Sequence, residues 1–110
     1  MSILVLTGRL SEDARCACTT DGQHIVSAEF ALPTPAVGRA VLVRIKKAFG
    51  SGNAAGYAAS ARARQLRRGV LVQVGCNRVG MSRGGLLLSD LDYLHTPDIK
   101  LDYRTGTNDD

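Results

Sequence analysis

The chain predicts a mainly β fold with one helix between its third and fourth strands. Two observations carry this, and a third bears on the partner. Short apolar runs with β-branched residues recur along both ends of the chain, separated by Gly, Pro and Asp-Gly punctuation. One segment in the middle, Ala54 to Arg68, is instead rich in alanine and arginine and free of β-branched residues. And the charges are segregated: no carboxylate occurs between Glu29 and Asp90, whereas ten of the fourteen basic residues lie in that interval.

The elements follow in order. Ile3 to Leu10 is an apolar opening strand that bends at Gly8-Arg9, and Arg15 to Thr19 continues it as a short extended piece. Thr20-Asp21-Gly22-Gln23 is a turn suited to a hairpin, with His24 to Leu32 as the returning strand. Pro33 and Pro35 are expected to end it, because proline cannot donate to a central ladder, and Val37-Gly38 complete the loop. Arg39 to Ala48 alternates as a third strand, with Val41, Val43 and Ile45 on one face and Leu42, Arg44 and Lys46 on the other. Phe49 to Gly52 is then a loop. Asn53 can cap the helix, Ala59, Ala63 and Leu66 form its apolar stripe, and Gly69 stops it with Arg67 and Arg68 in the last turn, where cations suit the helix dipole. Val70 to Val74 and Leu86 to Leu94, the latter bent, are the last strands, joined by a Gly-rich basic connection from Gly75 to Gly85. The polar tail after Pro97 is expected to be mobile at its end. The domain reading is residues 1–96 as one nucleic-acid-binding unit and 97–110 as tail.

Composition narrows the class. At 110 residues the chain can bury about two-thirds of its unfolded surface as one domain. A net charge of +4 and a pI near 9.3 suit an anionic partner. The N-terminus lacks a basic leader and no segment reaches the roughly 20 apolar residues of a membrane span, so the expected setting is cytoplasmic, without membrane contact. Cys16, Cys18 and Cys76 are an odd set without a disulfide framework and are expected to be reduced. Cys16 and Cys18 could give two metal ligands, but Cys76, His24 and His95 supply no second pair, so neither a metal nor another cofactor is expected. No nucleophile with a base, no Walker-type phosphate loop and no His-Glu metal motif is present, so catalysis is not expected.

Strand, bent strand, strand, helix, strand, strand is the order of a five-stranded OB-fold Greek-key barrel with its helix between strands 3 and 4. Within that order the chain resembles the bacterial single-stranded-DNA-binding proteins and the closely similar primosomal replication protein B. The matching pieces are Leu6-Thr7-Gly8-Arg9-Leu10, Thr19-Thr20-Asp21-Gly22 with Phe30-Ala31-Leu32, and Phe49-Gly50. Leu66-Arg67-Arg68-Gly69-Val70-Leu71-Val72-Gln73-Val74 and Leu88-Ser89-Asp90-Leu91-Asp92-Tyr93-Leu94 complete the match, which runs from Ile3 to Leu94. Departures are clear: there is no tryptophan, the hairpin after Gly22 is longer, and the Asn108-Asp109-Asp110 end lacks a hydrophobic tip.

The resemblance implies sequence-tolerant binding of single-stranded DNA in replication, recombination or repair, by a homodimer or homotetramer, with replication proteins as further partners; RNA is a second acceptable ligand. The expected contacts are Arg44, Lys46 and Lys47 from the third strand, Arg78 and Arg83 from the last hairpin, and Arg62 and Arg64 from the helix, with Phe49 and Tyr57 as stacking surfaces. The helix arginines suit a solvated face equally well, and Phe49 and Tyr93 suit a core or barrel-end position. The resemblance also puts Val43 at an exposed stacking position, whereas alternation puts Arg44 and Lys46 outward; burying two unpaired cations costs far more than a register shift, which favours the charges. The alternative function is a primosome-type interaction module, an adaptor to helicase or replisome with weak or no DNA binding.

Overall fold

A computed structural model describes residues 4–34, 39–82, 85–89 and 91–99. Pro35, Val37-Gly38, Arg83, Asp90 and the tail from residue 100 onward lie outside these. Among the described residues, eight strands and one helix follow in order: β1 (Leu4–Arg9), β2 (Arg15–Cys18), β3 (Gln23–Thr34), β4 (Arg39–Ser51), α1 (Asn53–Gln65), β5 (Leu71–Cys76), β6 (Val79–Ser82), β7 (Gly85–Leu88) and β8 (Leu91–His95). They form a three-stranded sheet, β1-β5-β8, and a five-stranded sheet, β2-β3-β4-β7-β6. Every pairing is antiparallel except β4 with β7.

Besides the crossing from β4 through α1 to β5, three stretches of chain pass from one sheet to the other: β1 into β2, β5 into β6, and β7 towards β8. The sequence predicts five strands; the described residues form eight, and each of these three stretches bends so that its two halves pair with different neighbours. The result among the described residues is two sheets linked by an isolated Leu10–Phe30 bridge, not one continuously hydrogen-bonded barrel. The run Leu86 to Leu94, expected as one bent strand, is the clearest case: Leu86 to Leu88 pair with β4 and β6, and Leu91 to Leu94 with β5.

The core lies between the sheets and under the helix. Phe30, Val43, Val72, Val74, Cys76, Leu66, Leu88 and Ala59 are fully buried, with Val26, Ile45 and Leu10 nearly so. Alternation along β4 buries Val43 and Ile45 and leaves Arg44 and Lys46 exposed, which settles the phase of that strand in favour of the charges. Gly8 is required by the core: a Cβ there would overlap the Phe30 ring.

Other boundaries differ from expectation for identifiable reasons. The helix starts after Gly52, whose φ of 97° suits glycine, and Asn53 makes no capping bond. It ends at Gln65 because Leu66 turns into the core, its N–H bonding back to Ala63 and its carbonyl accepting from the Ala14 N–H at 2.7 Å. Arg67 and Arg68 therefore lie beyond the helix, and Gly69 (φ 88°) takes the third position of a turn closed by the Val70 N–H on the Arg67 carbonyl. β3 continues through Pro33 to Thr34, and β4 through Phe49 to Ser51. The Gly75–Gly85 connection contains a strand of its own, β6.

That 67–70 turn is clasped from across the fold. Asp13 Oδ1 accepts from the Arg68 N–H at 2.8 Å and sits 3.3 Å from the Arg67 guanidinium. The Arg68 N–H first, helped by Arg67, holds the Asp13 carboxyl below its ordinary 3.8. A carboxyl depressed on folding stabilises above its unfolded value and loses that contribution as pH falls through the lower folded value. Wild type and Asp13→Asn should therefore differ in Tm at pH 6, with the difference shrinking as the buffer is taken below pH 3.8.

Candidate nucleic-acid interface

The outer face of the five-stranded sheet is set by register. Arg15 of β2 pairs with Ser27 of β3, and Ser27 pairs with Lys46 of β4, so Arg15 and Lys46 flank a small residue in one row. In the next row Glu29 pairs with Arg44, which in turn neighbours Leu87 of β7. Three cations thus share this face, two of them expected from the sequence. Arg15 is not among the expected contacts, since it lies outside the acid-free interval; only the strand register brings it beside Lys46.

Carboxylates reach the same face. Glu29 Oε2 lies 3.6 Å from Arg44 Nε, a pair of an exposed arginine with a partly buried carboxylate, worth about 1 kcal/mol, that a competing phosphate can displace. A shallow cleft of about 360 Å³ runs beside it, lined by Glu12, Asp13, Arg15, Glu29 and Arg44 among others. The face is therefore cationic along β2–β4 near Arg15 and Lys46 and mixed in sign at the Glu12–Asp13 end.

The remaining expected contacts are dispersed. Lys47 points to the opposite side of β4 from Arg44 and Lys46, in the row of buried Val26, and its Nζ stands 5.8 Å from the Phe49 ring centroid. Phe49 is half-buried and packs on the core. Tyr57 is 75% exposed on the helix, beside a groove of about 230 Å³ shared with His24, Asn53, Gly56 and Ser60. Arg64 and Arg78 are exposed, and Arg83 lies outside the described residues. Arg62 is engaged: it donates to the Leu94 carbonyl at 2.7 Å, to Gln65 Oε1 at 2.7 Å and to the buried Thr96 hydroxyl at 3.3 Å. It ties α1 to the end of β8. Arg62→Ala should lower stability by about 1–3 kcal/mol, since the buried Thr96 hydroxyl and the part-buried Leu94 carbonyl lose a charged donor; urea denaturation of wild type and variant measures it.

Among the described residues no cluster of three or more His, Cys, Asp or Glu is arranged to hold a metal ion. No helix among them is long and apolar enough to cross a membrane.

Two sheets and one helix in this order fit an OB fold. Among solved structures, the chain is similar to the wild-type single-stranded DNA binding protein from Thermus aquaticus, with a TM-score of 0.61 and 19% sequence identity over 93% of this chain. A deletion mutant of that protein gives 0.60 and 18%, again over 93%. In both, the chain spans only 43% of the other's length. No protein-family model matches the chain, and neither does any curated protein sequence.

Proposed function

We propose that this protein binds single-stranded DNA with little sequence preference, using the outer face of β2, β3 and β4, in replication, recombination or repair. The observation that carries this reading is the set of Arg15, Lys46 and Arg44 on one face of a sheet whose fold is similar to that of a protein named for single-stranded DNA binding. These three cations take backbone phosphates. Arg64, Arg78 and Arg83 are secondary phosphate contacts, the Lys47–Phe49 pair is an edge contact, and Tyr57 is a stacking surface for a base. Arg62 is assigned to the structural tie described above. Residues 1–96 make up the binding unit and 97–110 its tail.

With few aromatics to stack on, affinity rests mainly on phosphate neutralisation. Stacking adds roughly 1–3 kcal/mol per base, and this face offers few such platforms. A second reading, a primosome-type adaptor that binds a protein partner, is favoured by one feature: the carboxylates of Glu12, Asp13 and Glu29 interrupt the positive face. Titrating the protein into labelled oligo-dT and into a duplex of equal length, followed by anisotropy, separates the two. Preference for the single strand supports DNA binding, and no binding to either at low salt supports the adaptor.

A further inference from the structure

β2 is an edge strand: it pairs with β3 on one side and with no described strand on the other. The Thr19 N–H donates to the Gln23 carbonyl at 2.8 Å, in the same register that pairs Cys18 with His24 and Cys16 with Val26. In an antiparallel ladder the residues that exchange backbone bonds alternate. Thr19, Ala17 and Arg15 thus turn their N–H and C=O groups to β3, and Cys16 and Cys18 turn theirs to the free edge. Both cysteines are exposed free thiols on one face of the strand, and every residue of β2 is exposed.

We propose that this edge pairs with β2 of a second copy across a two-fold axis at Ala17, and that oxidation locks the pair through Cys16–Cys18 disulfides. The register is fixed by the backbone. Centred on Ala17, Cys16 faces Cys18 of the second copy twice, and all four outward N–H and C=O groups of each copy find partners. An axis at Cys16 would instead require the Ala14 N–H, already given to the Leu66 carbonyl at 2.7 Å. An axis at Cys18 would require Thr20, which lies in the turn.

Hydrogen-bonded antiparallel residues have Cα atoms about 5.5 Å apart, inside the roughly 4.4–6.8 Å that a disulfide spans; their Cβ atoms, about 4.5–5.5 Å apart, must draw in to roughly 3.5–4.5 Å as the bond closes. The two sulfurs lie on the same side of the extended sheet. The oxidant is a peroxide: one thiolate attacks it to give a sulfenic acid and hydroxide, and the facing thiol displaces water to form the S–S bond. Two thiols are oxidised per peroxide reduced. Cys76 is buried and takes no part. The pairing does not depend on the nucleic-acid reading, although it would place the Arg15, Arg44 and Lys46 faces of both copies on one side of a continuous sheet.

The test treats the full chain with hydrogen peroxide, without DNA, blocks remaining thiols, and runs denaturing gels without reductant alongside intact mass. The proposal expects a reducible dimer with twice the chain mass less the four hydrogens of two disulfides. Cys16→Ser and Cys18→Ser should each give little dimer alone, because each leaves a thiol facing serine. Mixed together they should regain a dimer with one disulfide, since Cys18 of one then faces Cys16 of the other. Single variants that cross-link alone as fast as wild type, or wild type that loses thiols while staying monomeric on the gel, would overturn the proposal.

Discussion

Reversing the two outward cations of β4 together, Arg44→Glu with Lys46→Glu, is expected to weaken oligo-dT binding at least about tenfold in low salt. Each neutralised phosphate contributes roughly 0.7 to the slope of log affinity against log salt for single strands, so losing two contacts should flatten it by about 1.4. Both side chains are exposed on a strand whose opposite face holds the buried Val43 and Ile45, so the double variant should keep the wild-type fold. Circular dichroism and thermal melting check that, and anisotropy reads the affinity. Unchanged affinity and slope would remove β4 from the interface. Glu29→Gln should act in the opposite sense, because it frees Arg44 from its 3.6 Å partner and removes a negative charge from the phosphate path.

The largest effect on stability is expected at Phe30. It is fully buried, bridges to Leu10, and occupies the space that Gly8 leaves by lacking a Cβ. Phe30→Ala should cost about 3–5 kcal/mol, a large part of the roughly 5–15 kcal/mol that holds a domain folded. Gly8→Ala alone should also destabilise, by driving a methyl group into the ring. The two are coupled: with the ring removed, the methyl group added by Gly8→Ala meets a cavity in place of an obstacle, so the double variant should lose less than the sum of the single losses. Chemical denaturation of the four proteins tests this, and strict additivity would contradict the packing described.

Much of the architecture is legible in the sequence because burial imposes a period that the residues record. Val41, Val43 and Ile45 against Arg44 and Lys46 mark the phase of β4, and the alanine-arginine segment marks the helix. What stays hidden depends on the third dimension. The break between β7 and β8 arises because one stretch, Leu86 to Leu94, serves two sheets, a division that its irregular pattern does not mark. β6, Val79-Gly80-Met81-Ser82, is only four residues long, its apolar Val79 and Met81 are exposed, and it exists through pairing with β7. The helix ends early because Leu66 is needed in the core, although Arg67 and Arg68 are good helix formers.

The charges divide in the same way. An interval without carboxylates points to Arg44 and Lys46, yet Glu29 stands just outside it and pairs across the ladder with Arg44, while Arg15, embedded among acids in sequence, comes to lie beside Lys46. Arg62 and Arg64 are two residues apart and indistinguishable in composition; one is bound to Leu94 and Thr96, the other is exposed. Charge density along a chain predicts a cationic surface, but only register decides which cations share it.

If the three cations on the β2–β4 face bind a single-stranded backbone mainly by electrostatics, salt must compete with them directly. The most direct test is the affinity of the wild-type protein for labelled oligo-dT measured across a salt series. The three phosphates neutralised by this face alone predict a slope of log affinity against log salt of about −2, which the secondary contacts can only steepen. An affinity that stays nearly flat as salt rises would contradict the proposed binding mode.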